Sequence, residues 1–192
     1  MRALFASTNR GKLRELEAVL AGWDLEPLLR DDYPEETGET FEENALLKAR
    51  FGRAHADPEA WALGEDSGIE VDALGGRPGV RSARYAGAGA TDEQNVALLL
   101  DELAGVPPGR RGARYVSALV AISPAGEEIK TRGTFDGAIA DAPHGSEGFG
   151  YDPVFVPTGE TRTVAELGDA WKAGRSHRAA AARALRSRLE EL

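Results

Sequence analysis

Arg2-Ala3-Leu4-Phe5-Ala6-Ser7-Thr8-Asn9-Arg10-Gly11-Lys12 reads as an apolar strand handed through a polar turn into a helix. Arg2 to Ser7 has the length of a short buried strand, and from Gly11 to Ala21 the residues Leu13, Leu16, Val19 and Leu20 share one helical face. Further helices follow from Phe41 to Ala56 and from Thr91 to Leu103, with Thr91 as N-cap of the second, and Trp61 to Asp66 forms a buried strand between them. Tyr115 to Ser123 and Ile129 to Ile139 alternate as strands, and Pro124-Ala125-Gly126 between them reads as a hairpin turn. A last helix spans Ser176 to Leu192. Parallel-type crossovers combined with an antiparallel hairpin predict an α/β fold, a mixed central sheet flanked by helices. No linker, low-complexity tract or repeat interrupts residues 1–192, which read as one domain with two lobes at most.

Of the 192 residues 42% are hydrophobic, which is enough to build a sizeable core, and the net charge is −9. That charge argues against broad binding to nucleic acid, which needs a basic surface. A small anionic ligand is admissible where local cations or a metal neutralise it. The longest apolar runs, such as Val116 to Ile122, are too short to span a bilayer, and the N-terminus lacks the regions of a signal peptide. The expectation is a cytoplasmic protein that engages no membrane. The absence of cysteine excludes disulfides and thiolate metal sites.

Four clusters carry chemistry. Ser7-Thr8-Asn9-Arg10-Gly11-Lys12 sits where a strand enters a helix, and a helix N-terminus with hydroxyls, an amide and a lysine can hold phosphate oxygens. It is not a Walker loop, which would need Gly at Ala6 and Ser or Thr at Leu13. An ordinary capped helix start would look the same. Glu42-Glu43-Asn44 and Glu65-Asp66-Ser67-Gly68 offer carboxylates from two elements, a donor set suited to Mg²⁺. Each has a plainer reading, since Thr40-x-x-Glu43 has the form of a capping box and Asp66-Ser67-Gly68 that of an Asx turn. Two adjacent acids at a buried strand end are costly, however, unless a cation sits between them. The fourth cluster is Gly148-Phe149-Gly150-Tyr151-Asp152-Pro153 with Lys172 and Ser176-His177-Arg178. An aromatic ring between glycines can lie against a flat heterocycle, and a carboxylate with cations can read its edge. Arg178 near a helix N-terminus is at the electrostatically wrong end, as if meant to meet something negative or polar. Core packing of the aromatics and capping by Ser176 are the alternatives.

Together, Ala6 to Lys12, Thr40-Phe41-Glu42-Glu43-Asn44-Ala45, Glu65-Asp66-Ser67-Gly68, Ser82-Ala83-Arg84-Tyr85, Gly148 to Phe155 and Ser176-His177-Arg178 resemble the inosine triphosphate pyrophosphatase family. The resemblance covers nearly the whole chain, with the motifs in the same order. It implies an elongated α/β fold of two lobes with an active-site cleft between them, usually a homodimer. It also implies Mg²⁺-dependent hydrolysis of non-canonical purine nucleoside triphosphates (ITP, dITP, XTP) to monophosphate and pyrophosphate. By this resemblance Ser7, Thr8, Asn9, Arg10, Gly11 and Lys12 contact substrate, with Thr8, Asn9 and Lys12 on the triphosphate. Glu43 with Glu65 or Asp66 binds Mg²⁺, Asp66 is the base, and Ser67 is a further substrate contact. Phe149, Gly150, Tyr151, Asp152, Lys172, His177 and Arg178 bind the purine. Many members carry two aspartates where this chain has Glu65-Asp66, and Arg30 to Glu39 is short beside the common pattern. Mn²⁺ has the same ligand preference as Mg²⁺.

Donors from His177, Arg178 or Lys172 toward a 6-oxo group would accept hypoxanthine or xanthine and face adenine donor to donor, at about 1–3 kcal/mol for each unpaired group. Two other classes share parts of this pattern. One is a nucleotide sensor that binds without hydrolysis; the other is a nucleic-acid module on the arginine-rich segment from Arg175 to Arg188.

Overall fold

The structure, a computed structural model, describes residues 1–191. Strand β1 (Arg2–Phe5) leads into helix α1 (Arg10–Glu17) and strand β2 (Asp24–Pro27), followed by α2 (Phe41–His55), β3 (Trp61–Val71) and α3 (Asp92–Glu102). Then come β4 (Gly112–Ile122), β5 (Glu128–Ile139), β6 (Phe155–Pro157), the one-turn helices α4 (Val164–Leu167) and α5 (Asp169–Lys172), and α6 (His177–Glu190). The strands form a six-stranded sheet in the order β2-β1-β3-β4-β5-β6. β1 pairs in parallel with both β2 and β3, whereas β5 and β6 are antiparallel, so the sheet is mixed as expected. No helix among the described residues is long and apolar enough to cross a membrane.

Local chemistry explains the helix starts. Asn9 caps α1, Thr40 and Glu43 form a capping box on α2, Thr91 and Gln94 form another on α3, and Ser176 caps α6. Several predicted boundaries move, three of them instructively. α1 stops at Glu17, and Val19 and Leu20 reach the core through the turn that follows, where Leu20 N donates to Leu16 O at 2.8 Å. β3 does not end at Asp66 but runs on to Val71, because the charges of Glu65 and Asp66 are compensated within the fold. The final helix closes at Glu190, and Leu192, which the predicted helix included, lies outside the described residues.

The chain divides into two compact units, each discontinuous in sequence. The first comprises residues 1–66, 117–134 and the segment from Ser176 onward; the second comprises 67–116 and 135–175. Each has its own core. Phe5, Leu16, Leu20, Leu63, Leu119 and Leu185 fill the first, and Ile69, Val71, Leu99, Leu103, Val154 and Phe155 fill the second. Every such side chain fully removed from water contributes about 1.5–3 kcal/mol, so both units hold apolar cores able to support polar groups beside them.

Candidate active site

In the first unit the turn after β1 is built by its own polar side chains. Asn9 Oδ1 accepts from Lys12 N at 3.1 Å, and Ser7 Oγ accepts from Asn9 N at 3.1 Å. Thr8, Asn9 and Arg10 stay exposed and, with Leu13, Arg14, Pro27 and Leu29, line a cavity of about 290 Å³. Gly11, next in the chain, is half-buried.

Lys12 is held by Glu65. Its ammonium lies 2.8 Å from Oε2 of that fully buried carboxylate, an oxygen that has no hydrogen-bonding partner beside this ion pair. The other oxygen, Oε1, accepts from Ser117 Oγ at 2.8 Å and from Arg178 Nε at 3.1 Å. Arg178 continues to Glu15 Oε1 at 3.2 Å, and Glu15 Oε2 accepts from Ser176 Oγ at 2.8 Å. Burial alone would push the Glu65 carboxyl up, but Lys12 and Arg178 outweigh it and hold the group well below the usual carboxylate range. Glu65 is therefore a charged counter-ion, and that answers how two adjacent acids are tolerated on a buried strand.

Asp66 meets a different cation. Lys48 Nζ lies 2.8 Å from Asp66 Oδ1 and 2.6 Å from Glu36 Oε1, and it also donates to the Glu65 carbonyl at 3.3 Å. Asn44 Nδ2 donates to Asp66 Oδ2 at 3.3 Å. Burial raises the Asp66 carboxyl above its ordinary value, more than Lys48 and Lys12 lower it. Burial also works against the charge of Lys48, yet Asp66 and Glu36 together hold its ammonium above the ordinary value. This approach of α2 to β3 depends on Gly64, where a Cβ would collide with the Ala45 carbonyl oxygen and with Ala49 N.

Glu43 forms the capping box that its sequence setting suggested. Its Oε2 accepts from Glu39 N at 2.7 Å and from Thr40 N at 3.2 Å, the reciprocal half of the capping box, and the residue is exposed. Glu36, in the irregular segment before α2, is the carboxylate that shares a cation with Asp66. Among the described residues no group of three or more His, Asp or Glu side chains converges as a ready metal site. A pair of carboxylate oxygens already bridged by one ammonium does, however, fit a hard divalent ion that keeps waters and shares substrate oxygens.

In the second unit Asp152 organises the glycine-flanked turn. Completely buried, it pairs through Oδ2 with Lys172 Nζ at 2.8 Å and accepts from Phe149 N at 3.0 Å, while Oδ1 accepts from Tyr115 Oη at 3.1 Å. Gly148 is required here, since its φ is +82° and a Cβ would strike the Asp152 carboxylate. Lys172 Nζ also lies 4.5 Å from the centroid of the Phe149 ring. Gly150 N donates to Asp92 Oδ2 at 2.6 Å. Tyr151 packs into the core, donates to the Ser82 carbonyl at 2.8 Å, and burial pushes its phenol well above the ordinary range. Ser67, the first residue of this unit, is half-buried on β3. His177 and Arg178, grouped with this cluster in sequence, belong to the first unit and open α6 fully buried.

Sequence reasoning missed Glu36, Lys48, Glu15 and Ser117. Lys48 carried a signal in hindsight, because it lies one helical turn beyond Asn44 and shares its face, which both contact Asp66. Glu36, among acids without periodicity, carried none.

The sequence profile of the Ham1 family matches residues 3–188. A protein of Symbiobacterium thermophilum named dITP/XTP pyrophosphatase is 50% identical over 194 residues, spanning 100% of this chain and 94% of that protein. The solved structure of the Staphylococcus aureus Ham1 protein superposes with a TM-score of 0.86 at 36% identity, covering 100% of this chain and 99% of that one. A second, the nucleoside-triphosphatase or dITP/XTP pyrophosphatase of Mycobacterium abscessus, gives a TM-score of 0.76 at 45% identity, covering 100% and 99%.

Proposed function

The chain belongs to the Ham1 family, and we propose that it hydrolyses the non-canonical purine nucleoside triphosphates ITP, dITP and XTP to monophosphate and pyrophosphate, removing them from the nucleotide pool. The observation that carries this reading is the charge cluster on β3. It sets a base of raised pKa, Asp66, next to a buried counter-ion, Glu65, that holds the phosphate-binding Lys12.

We assign Thr8, Asn9 and Lys12 to the triphosphate, with Ser7, Arg10 and Gly11 shaping the turn and Ser67 as a further contact. Asp66 accepts the proton of the water that attacks the α-phosphorus, and its burial makes it a better base than a solvated aspartate. As the α–β phosphoanhydride breaks, charge gathers on the departing pyrophosphate. Lys12, whose ammonium has three donors and spends one on Glu65, and the N-terminus of α1 stabilise it. Asp66 and Glu36 are the residues we assign to a Mg²⁺ or Mn²⁺ ion, with Glu65 beside them and Glu43, which caps α2, as the competing assignment. When bound, that ion would acidify water and draw charge from the phosphate oxygens. We assign purine recognition to Phe149, Gly150, Tyr151, Asp152, Lys172, His177 and Arg178. Within that set the Asp152–Lys172 pair braces the turn, and Tyr151 supports it from the core. We further propose a homodimer acting in the cytoplasm, where sedimentation of the purified protein tests the stoichiometry.

The direct test is pyrophosphate release from ITP, dITP, XTP, GTP and ATP, with Mg²⁺ present and absent. Metal-dependent release from ITP and XTP with ATP far behind is the expected outcome. Equal rates with ATP would refute the assigned specificity, and binding without release would leave a nucleotide sensor in place of an enzyme.

A further inference from the structure

Asp92 follows the N-cap Thr91 at the head of α3, but the capping of that helix is already provided. Gln94 N donates to Thr91 Oγ1 at 3.3 Å, and Thr91 N donates to Gln94 Oε1 at 2.8 Å. The Asp92 carboxylate instead reaches a residue 58 positions away, accepting from Gly150 N at 2.6 Å, the length of a strong charge-assisted bond. The preceding amide, Phe149 N, donates to Asp152 Oδ2 at 3.0 Å. Two carboxylates from different elements thus fix consecutive peptide groups on either side of the Phe149 side chain. Gly150 itself has φ +64°, a conformation that glycine leaves readily, so the Asp92 bond adds to the hold that Asp152 already has on the Phe149 amide.

We propose that Asp92 is a positioning residue for purine recognition, presetting the face that the Phe149 ring offers to the base. The inference rests on the assignment of the Gly148 to Asp152 turn to the base. A turn ordered before binding removes the ordering cost from association. Releasing it weakens substrate binding while leaving the chemical step intact, since Asp92 touches neither phosphate nor any residue assigned to the reaction.

Steady-state kinetics on ITP, with pyrophosphate as product inhibitor, separates the two ends of the substrate. Asp92→Ala is expected to raise KM for ITP about tenfold, the loss of one charge-assisted hydrogen bond, with kcat and pyrophosphate inhibition unchanged. Asp92→Asn keeps an acceptor oxygen and is expected to recover part of the loss. Glu93→Gln removes the same charge from the same helical turn and is expected to behave as wild type, which excludes a mere helix-dipole effect. An unchanged KM in Asp92→Ala, an equal weakening of pyrophosphate inhibition, or the same defect in Glu93→Gln overturns the proposal. Amide hydrogen exchange at Gly150 tests the tether without any turnover: protection is expected in the wild type and lost in Asp92→Ala. If the wild type released no pyrophosphate, the hydrolase reading would fail by itself. Unchanged exchange at Gly150 would sink the tether whatever the activity.

Discussion

Two buried carboxylate–ammonium contacts, both at 2.8 Å, distinguish the two units: Asp66 with Lys48 in the first, and Asp152 with Lys172 in the second. The second is sealed, with side chains 0% and 3% exposed, and Asp152 is further saturated by Tyr115 Oη and Phe149 N. The first is open to exchange, because Lys48 also serves Glu36, whose side chain is 31% exposed. The same chemistry is therefore used once sealed from water and once with a partner that keeps contact with it. Buried pairs add little net stability but cost much when broken, so a sealed pair suits a fixed turn. A partly solvated pair that can be rearranged cheaply suits a reacting centre.

The largest effect expected from this contrast is catalytic. Asp66→Asn should lower kcat by about 10²–10⁴ while calorimetry still detects nucleotide binding, and unchanged turnover would remove Asp66 from the chemistry. Next comes stability of the sealed pair. Lys172→Met leaves Asp152 buried without its cation and should cost about 3–5 kcal/mol in denaturant unfolding, with the double variant Lys172→Met/Asp152→Asn recovering part of it. Lys48→Met should cost clearly less, and equal losses at the two sites would erase the distinction between them.

A smaller effect separates two glutamates. Glu36→Gln should raise the Mg²⁺ concentration for half-maximal activity about tenfold, whereas Glu43→Ala should leave it unchanged and cost at most about 1 kcal/mol of stability as a lost reciprocal cap. The reverse pattern would return the metal to Glu43. The last effect is read from the pH dependence of stability. Glu65 titrates below its ordinary value of 4.5 in the folded protein, so below that pH the unfolded chain binds a proton that the folded one refuses. Its share of stability is full above that value and is lost as the pH falls. Glu65→Gln should flatten that part of the acid unfolding curve, and a curve of unaltered slope would show that Glu65 is not held charged.

Much of the fold was legible because its signals are local. Asn9, Thr40, Thr91 and Ser176 announce helix starts through their own side chains, and the alternation around Pro124-Ala125-Gly126 marks two strands. β2 and β6 were invisible: Asp24-Leu25-Glu26-Pro27 carries two acids and a proline in place of the apolar run that marks β1, Phe155-Val156-Pro157 has only three residues, and both exist through their neighbours. β3 read as ending at Asp66 because two charges normally close a buried strand; only long-range partners such as Lys48 and Arg178 let it continue. The site divided in the same way. Residues whose type alone suggests chemistry, Lys12, Asp66 and Phe149, stand out as candidates in the sequence. Glu15, Glu36 and Ser117 matter only through what they touch in space.

Phosphorus NMR of ITP turnover by the purified protein with Mg²⁺ tests the central claim most directly, because it reports which bond is cleaved. One pyrophosphate for each inosine monophosphate, with no orthophosphate and with turnover by Asp66→Asn lowered about 10²–10⁴-fold, is the predicted result. Inosine diphosphate with orthophosphate, or turnover undiminished in Asp66→Asn, would contradict the account.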